Sequence, residues 1–189
     1  MNNIYYHINS YKKYNAGDII GIGDDYNFMA KEMFNAKYFN SDGIDANEIM
    51  IQMKKNNNLT FNNEDFEVVK NTISNDSFVI RELIFEEIRK ELFPDKPSRL
   101  KCLFLSKTLD ENSEWESIFK RINRKPLQLL KLEVEGNIFE GDSSLILRQN
   151  NSIDDKVNQA KEYWSCTSAK IPEYLFTGKA KVIEIVKEY

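Results

Sequence analysis

The sequence predicts a single α+β domain, and three observations lead to this fold class. The chain has 189 residues, and a chain of this size buries roughly two thirds of its unfolded surface, enough for one substantial core. Apolar residues in 77–93 recur at helical spacing, whereas those in 127–135 alternate with charged residues as in a half-buried strand. We therefore expect one domain over 1–189, with six or seven short strands and three or four helices.

The first part of the chain predicts short strands, loops and one helix. Residues 4–8 are aromatic and β-prone and predict the first strand. Residues 17–25 contain three glycines and predict a loop or short hairpin, because their spacing matches no phosphate-binding motif. Residues 26–39 predict a helix with one apolar face. Residues 40–75 are rich in asparagine and predict a variable insertion or a lid.

The middle of the chain contains the clearest helix. No glycine or proline interrupts residues 77–93, and Asp76 or Ser77 is expected to cap the first turn by accepting a backbone N–H. Two prolines predict a turn at 94–97, since proline disfavours helix at the preceding residue. The nearly continuous apolar run 100–106 then predicts a strand that is covered on both faces.

The last part of the chain predicts alternating helices and strands. Its elements are, in order, a helix over 114–122, a strand over 127–135 ended by a turn at 136–137, a short return strand at 138–139, a helix over 154–163, and strands over 174–176 and 179–186 separated by a turn at 177–178.

Composition excludes several classes of protein. No apolar run approaches the roughly 20 residues that span a bilayer, and the first residues show no signal peptide. One histidine and two distant cysteines, Cys102 and Cys166, do not supply the ligands of a zinc site, so no metal is expected. Two unpaired thiols favour a reducing cytoplasm.

The net charge of −4 is unevenly distributed. Residues 96–132 contain nine basic and four acidic residues, a local charge of +5, whereas the flanking parts of the chain are acidic. Such a segment is suited to facing phosphates of a dinucleotide or of nucleic acid. A solvated lysine-rich surface explains the same charge.

Three residues are candidates for chemistry. His7 is the only histidine and ends the first predicted strand. Arg99 lies between a proline turn and a predicted buried strand, where a guanidinium can bind a phosphate or a carboxylate with two hydrogen bonds. Glu173 lies at the start of a late strand, where a carboxylate can stabilise a cation. A surface or satisfied core histidine and a structural salt bridge are the alternatives.

Taken in order, these groups resemble a known family. The motifs are a YH strand within 4–20, the sequence FPDKPSR within 81–115, an Asp after the strand within 129–146, and AKEYW followed by PEYLF within 160–186. They are similar to those of small bacterial and phage proteins with an uncharacterised ADP-ribosyltransferase-like domain. The layout is also similar to that of DNA-targeting ADP-ribosyltransferase toxins and RNA 2′-phosphotransferases.

The resemblance implies a fold and a ligand. It implies two small, strongly bent β-sheets, flanked by helices, that form a cleft for NAD. Carried over by position, His7, with Tyr6 beside it, would contact the adenosine-side ribose or the nicotinamide of NAD. Arg99, with Ser98 beside it, would bind the phosphates or the nicotinamide ribose.

The resemblance also implies a catalytic carboxylate. Glu173 matches the late glutamate that steadies the oxocarbenium-like transition state, and Tyr163 and Trp164 would wall the nicotinamide pocket. Asp142 matches a family position without an assigned role. Ile171 stands where arginine-directed transferases have an acidic or amide residue, which disfavours modification of protein arginines.

The expected function is therefore transfer of ADP-ribose from NAD to a macromolecule, with nucleic acid favoured over protein as the acceptor. A toxin or an effector in phage conflict suits the resemblance, with an antitoxin or regulator as a possible partner and no membrane involvement. Hydrolysis of NAD without an acceptor is a related activity. The alternative is a catalytically inactive module that binds an NAD-like ligand or a protein on the same fold.

Overall fold

The computed structural model describes residues 3–55, 62–121, 124–146 and 152–189. Within this part of the chain there are five strands, five α-helices and a 3₁₀ turn at Ser143–Leu145. The elements are, in order, β1 (Ile4–Asn9), β2 (Ile19–Ile22), α1 (Phe28–Asn35), α2 (Ala46–Lys55), α3 (Asn63–Leu92), β3 (Leu103–Leu105), α4 (Leu109–Arg121), β4 (Gln128–Asp142), α5 (Ile153–Trp164) and β5 (Pro172–Glu188).

The five strands belong to one antiparallel sheet, which confirms the α+β class. The strand order is β1-β4-β5-β2, and β3 also pairs with β5. The described strands do not separate into the two sheets that were predicted, because β4 and β5 pair continuously from Gln128–Glu188 to Asp142–Pro172. This long ladder is the centre of the sheet.

A pair of glycines divides the ladder into two halves. Gly136 of β4 lies directly opposite Gly178 of β5, with φ of +156° and +139°. A Cβ at either position would overlap the backbone of the opposite strand. The predicted turns at 136–137 and 177–178 are therefore wrong: glycine allows both strands to continue where the two backbones approach closely.

The two halves have different neighbours, and the sheet curls back on itself. β1 and β2 pair with the half that contains 128–135 and 178–188, whereas β3 pairs with residues 174–176 of the other half. Tyr6 of β1 and Ser106, just after β3, exchange two backbone hydrogen bonds of 2.8 and 2.9 Å. Since β1 and β3 lie on opposite edges of the β4–β5 ladder, this bridge requires a strongly curved sheet.

The curved sheet has a concave face, here called the inner face, and a second face covered by helices, the helix face. Tyr174 and Phe176 point into a core on the inner face, and their neighbour Leu175 points into the core on the helix face. Helices α3 and α5 pack against each other and cover the second core through Phe85 and Trp164. Successive residues of β5 thus pack alternately into the core on the inner face and the core on the helix face.

Helix α3 is longer than predicted. It begins at Asn63 rather than near residue 77, and the N-cap is Asn62, whose side chain accepts a hydrogen bond from the Asp65 N–H at 2.7 Å. Much of the predicted insertion or lid over 40–75 is therefore helical, because α2 and the first half of α3 lie within it. The part of that prediction over 56–61 lies outside the described residues.

The 26–39 helix is α1 and the 154–163 helix is α5, so both match their predictions in type and differ in length. The 17–25 segment, predicted as a loop or short hairpin, instead contains strand β2, which pairs with β5. Helix α4 begins at Leu109, and only Leu103–Leu105 of the 100–106 run is paired as a strand. No helix in the described ranges has the length and apolarity needed to cross a membrane.

The glycine pair gives the first testable prediction. Gly136→Ala and Gly178→Ala are each expected to lower the free energy of unfolding by about 2 kcal/mol or more, because each adds a methyl group to a close backbone contact at positive φ. Urea denaturation measures this change. Gly21→Ala is the control, since no atom lies within 4 Å of the added Cβ. Equal stability of all three variants would contradict the close approach.

Candidate functional site

Arg99, Glu173 and Tyr163 meet on the helix face, together with Glu82, which the sequence analysis did not single out. The Arg99 guanidinium donates to Glu82 Oε2 at 2.9 Å, to the Tyr163 hydroxyl at 2.9 Å and to Glu173 Oε1. The Tyr163 hydroxyl also donates to Glu173 Oε1 at 2.6 Å. We call these four residues the buried network.

Four separate parts of the fold supply the buried network. Glu82 comes from α3, Tyr163 from α5 and Glu173 from β5, and Arg99 lies in the turn before β3. That turn is held in place by Asn27, whose side-chain amide donates to the Arg99 carbonyl at 2.8 Å. Each residue is at most 5% exposed. The network therefore joins the helix layer to the sheet.

The charges of the buried network are balanced. Burial opposes ionisation of Glu82, but Arg99 and Arg81 outweigh it and hold the pKa of this carboxyl below its usual value. Burial likewise disfavours the charged form of Arg99, while Glu173 and Glu82 raise its pKa well above the usual value. With Arg81 donating to Glu82 Oε1 at 2.9 Å, two guanidinium groups face two carboxylates.

The buried network does not present Glu173 to a ligand in this structure. Glu173 is 2% exposed, and its Oε1 accepts from both Arg99 and Tyr163. Burial and then Glu173 raise the pKa of the Tyr163 hydroxyl well above its usual value, so the phenol stays a neutral donor. The contacts observed are those of a structural network, and the catalytic role of Glu173 stays a prediction.

Ser98 belongs to a second polar group beside the buried network. Its hydroxyl donates to Glu86 Oε2 at 2.8 Å, and Arg89 donates to both carboxylate oxygens of Glu86 at 2.8 and 3.0 Å. Arg89 also donates to the carbonyls of Pro94 and Lys96. The FPDKPSR motif thus has a structural explanation: hydrogen bonds to Glu86 and Arg89 hold its turn against the last turns of α3.

Trp164 lies in the core rather than at an open wall. Its side chain is fully buried, and Nε1 donates to the Phe85 carbonyl at 2.8 Å. The Trp164 ring packs against Tyr163 and Phe139 at centroid distances of 4.8 and 5.2 Å. In this arrangement Tyr163 and Trp164 stabilise the contact between α5 and the sheet.

His7 lies on the other side of the sheet from Glu173. It pairs with Leu130 of the inner core, and Tyr5, two residues earlier on β1, packs against the same core. Phe104 separates the two sites: its carbonyl accepts a hydrogen bond from His7 Nδ1 at 2.9 Å, and its ring lies 5.4 Å from the Arg99 guanidinium. The structure therefore does not bring His7 and Glu173 to one open site.

The His7 imidazole is neutral and has one unpartnered nitrogen. Burial lowers its pKa from 6.5 to about 4, more than the hydrogen bond to Phe104 raises it. A carbonyl only accepts, so Nδ1 carries the proton and Nε2 presents a lone pair. Nε2 is buried and has no hydrogen-bond partner within the described residues. Neighbouring Tyr6 is half-buried, and its backbone forms the bridge to Ser106.

The sequence analysis missed part of the inner face. Tyr174 and Glu140 are register partners on β5 and β4, and the Tyr5 and Tyr174 ring centroids are 5.5 Å apart. The only sequence signal was alternation, which places Tyr5 and His7 on one face of β1. Among the described residues, no cluster of His, Cys, Asp and Glu side chains is arranged to hold a metal ion.

Asp142, which had no assigned role, closes the open end of the ladder. Its Oδ1 accepts from the backbone N–H groups of Ser144 and Ile171 at 3.0 and 3.2 Å. Burial raises the pKa of the Asp142 carboxyl, but these and neighbouring hydrogen bonds together hold it below its usual value. Asp142, the last residue of β4, thereby holds Ile171, the residue just before β5. The two strand ends are thus joined although α5 lies between them in the sequence.

Comparison with protein families extends over nearly the whole described fold. Residues 5–188 match the model of the family described as "Protein of unknown function (DUF2441)". None of the curated proteins matches the chain. The match includes both the buried network and the inner face.

The neutral state of His7 gives the second prediction. Below pH 6.5 the unfolded chain binds a proton on His7 that the folded chain, with a pKa of about 4, does not bind. The free energy of unfolding therefore falls as the pH is lowered through this range, by up to about 1.4 kcal/mol per pH unit. His7→Asn keeps a donor for the Phe104 carbonyl and does not titrate.

The measurement is urea denaturation of both proteins between pH 8 and pH 4. Other titrating groups are shared and cancel in the difference, so the wild-type protein should lose stability relative to His7→Asn as the pH falls. A constant difference across the range would show that His7 is not held neutral.

Proposed function

The chain belongs to the DUF2441 family, and from the resemblance of its motifs to ADP-ribosyltransferase-like domains, supported by the geometry of its own residues, we propose that it is an NAD-dependent ADP-ribosyltransferase. His7 is the single observation that carries this proposal. A neutral imidazole with a fixed Nδ1–H presents Nε2 as an acceptor, and a ribose hydroxyl is a matching donor. Leaving such an acceptor unpaired costs about 1–3 kcal/mol, and a bound ribose would offset that cost.

The curvature of the sheet supports the finer fold assignment. An ADP-ribosyltransferase-like fold requires two bent arms of sheet around NAD. The pair Gly136–Gly178 divides one sheet into two arms, and the bridge from Tyr6 to Ser106 curls them toward each other. We include this fold assignment in the proposal, with the inner face as the side that binds NAD.

The proposed reaction needs few catalytic groups. The bond between the ribose C1′ and the nicotinamide nitrogen breaks, and both electrons leave with nicotinamide, which departs neutral. Positive charge develops at C1′, which then bonds to a nucleophile of the acceptor as that nucleophile loses its proton to solvent. A fixed carboxylate near C1′ stabilises this charge more in the transition state than in the ground state. Water as the nucleophile gives NAD hydrolysis.

The acceptor is proposed from charge. Residues 96–132 carry a net charge of +5 in an acidic chain, which favours nucleic acid over protein. Cys102 and Cys166 are free thiols, which suits a reducing cytoplasm. A role as a toxin or in phage conflict, restrained by an antitoxin, is part of the same proposal and rests on the resemblance.

One observation favours a second function, an inactive binding module. The carboxylate that the resemblance assigns to catalysis is enclosed with Arg99 and Tyr163, and Glu173 is only 2% exposed. A protein that retained the fold but not the reaction would bind an NAD-like ligand or a protein without turnover.

Labelled NAD tests the proposal. The purified protein is incubated separately with DNA, RNA and cell protein, and both label transfer and nicotinamide release are measured. We expect transfer to nucleic acid, and a roughly tenfold weaker NAD affinity by calorimetry for His7→Asn, because one neutral hydrogen bond is lost. Binding without transfer or nicotinamide release would establish the binding module. Absence of NAD binding would contradict both the transferase and a module that binds NAD, and would leave only a protein-binding module.

Two matched variants test the role of Glu173. Glu173→Gln and Glu82→Gln each remove one carboxylate from Arg99, and both sites are almost completely buried. Breaking a buried ion pair costs about 3–5 kcal/mol, so we expect both variants to lose stability to a similar extent. Turnover per folded molecule, measured below the unfolding transition, then decides the role of Glu173, because equal turnover of the two variants would assign it to the fold. Turnover abolished by Glu173→Gln alone, with NAD binding retained, would instead establish Glu173 as catalytic.

A further inference from the structure

A second carboxylate lies on the inner face, at a position that the sequence analysis did not consider. Glu140 of β4 is the register partner of Tyr174 of β5, and directly opposed residues of an antiparallel pair point to the same face. The Tyr174 side chain is in the inner core. Glu140 therefore also points to the inner face, and it is exposed.

The Glu140 side chain shares that face with two aromatic rings and with His7. The rings of Tyr5 and Tyr174 meet edge to face at a centroid distance of 5.5 Å and an interplanar angle of 63°. Tyr5 and His7 are two residues apart on β1 and so point the same way. One face of the sheet thus carries an acceptor nitrogen, two electron-rich rings and a carboxylate.

Two carboxylates also influence the hydroxyl groups of these rings. Burial, followed by the charges of Glu140 and Glu111, raises the pKa of the Tyr5 hydroxyl. Burial also raises the pKa of the Tyr174 hydroxyl, with Glu111 and Glu140 as the next causes. Two carboxylates therefore act on the same pair of rings.

Glu140 and Glu173 differ in what neutralises them. Glu173 is paired with Arg99 on the helix face. Glu140 forms no ion pair with any lysine or arginine among residues 3–55, 62–121, 124–146 and 152–189. The charge of Glu140 is therefore not compensated by a lysine or arginine among these residues, whereas the charge of Glu173 is compensated by Arg99.

We propose that Glu140 is the carboxylate that faces the nicotinamide end of NAD, with the half-buried ring of Tyr5, held edge to face against buried Tyr174, as the aromatic wall of that subsite. This inference rests on the proposed function. The nicotinamide ring of NAD⁺ is a cationic aromatic group, and such a ring is attracted by tyrosine faces and by a carboxylate. His7 Nε2, on the same strand and face as Tyr5, is then placed to accept from a ribose hydroxyl.

Glu140 also meets the requirement of the chemical step. When the C1′–nitrogen bond breaks, the electron pair and the neutral nicotinamide leave together, and the positive charge passes from the ring to the ribose. A carboxylate beside the two groups stabilises the charge at its new position. Glu140 neither forms a covalent bond nor transfers a proton in this step.

Calorimetry with NAD⁺ and NADH tests the binding part of the inference. The two dinucleotides differ in the charge of the nicotinamide ring, so the wild-type protein should bind NAD⁺ more tightly by about tenfold. Glu140→Gln, which has nearly the same shape without the charge, should abolish the preference. Glu133→Gln is the matched control, because Glu133 is an exposed carboxylate that lies on the opposite face of the same strand, next to inward-facing Leu132.

Turnover tests the catalytic part with the same proteins. Glu140→Gln should lower nicotinamide release by about 100-fold or more, the usual cost of removing one transition-state stabiliser, while Glu133→Gln should match the wild type. Glu140→Asp keeps the charge and should retain part of the activity. The thermal unfolding temperature of each variant shows whether folding is unaffected.

The outcomes separate this inference from the proposed function. An active wild-type protein whose Glu140→Gln variant keeps both its activity and its NAD⁺ preference would overturn the assignment of Glu140 and leave the proposed function standing. An inactive wild-type protein whose NAD⁺ preference depends on Glu140 would support the subsite and overturn the transferase. Failure to bind either dinucleotide would overturn both.

Discussion

The contact between Arg99 and its two carboxylate partners is the interaction on which the rest of the structure depends. A guanidinium that is almost completely buried is tolerated only when opposite charges and hydrogen-bond acceptors surround it. Glu82 on α3 and Glu173 on β5 supply those charges, and Tyr163 on α5 shares one carboxylate oxygen. The position of the helix layer on the sheet, and of the turn that leads into β3, follows from satisfying this one side chain.

This constraint determines which side chains lie on the inner face. A strand points successive side chains to opposite faces, so placing Glu173 toward the helices places Tyr174 on the inner face. The register then puts Glu140 beside Tyr174, and the curl of the sheet brings Tyr5 close to the same ring. The two faces of the sheet thus differ. The charge-balanced buried network stabilises the fold on the helix face, and the proposed NAD site lies on the inner face.

Local patterns in the sequence were sufficient to predict several helices and strands. They were insufficient to predict the contacts between residues that are distant in sequence. The helix that ends before Pro94 and the alternation that begins near Gln128 are both present, because each depends on the residue's own neighbours. The turn predicted at Gly136 is absent. Only the opposing Gly178, which is distant in sequence, shows that this glycine allows a close contact between strands.

Glu82 was missed for a similar reason. The local sequence of an amphipathic helix does not show which of its acidic residues will pair with a distant arginine. Arg99 and Glu173 were singled out as candidates for catalysis and ligand binding, but periodicity could not predict that they would bind each other.

The order of the strands has a consequence for how the chain reaches this structure. β4 pairs with β1, more than a hundred residues earlier, and with β5, which follows only after α5; β2 and β3 pair with β5 alone. Every strand pair in the sheet other than β1–β4 therefore includes β5, and it cannot form before β5 is in place. Contacts so distant along the chain carry a large loop-closure entropy, and topologies of this kind fold slowly. We therefore expect the helices to form from local interactions and the sheet to assemble later, around β5.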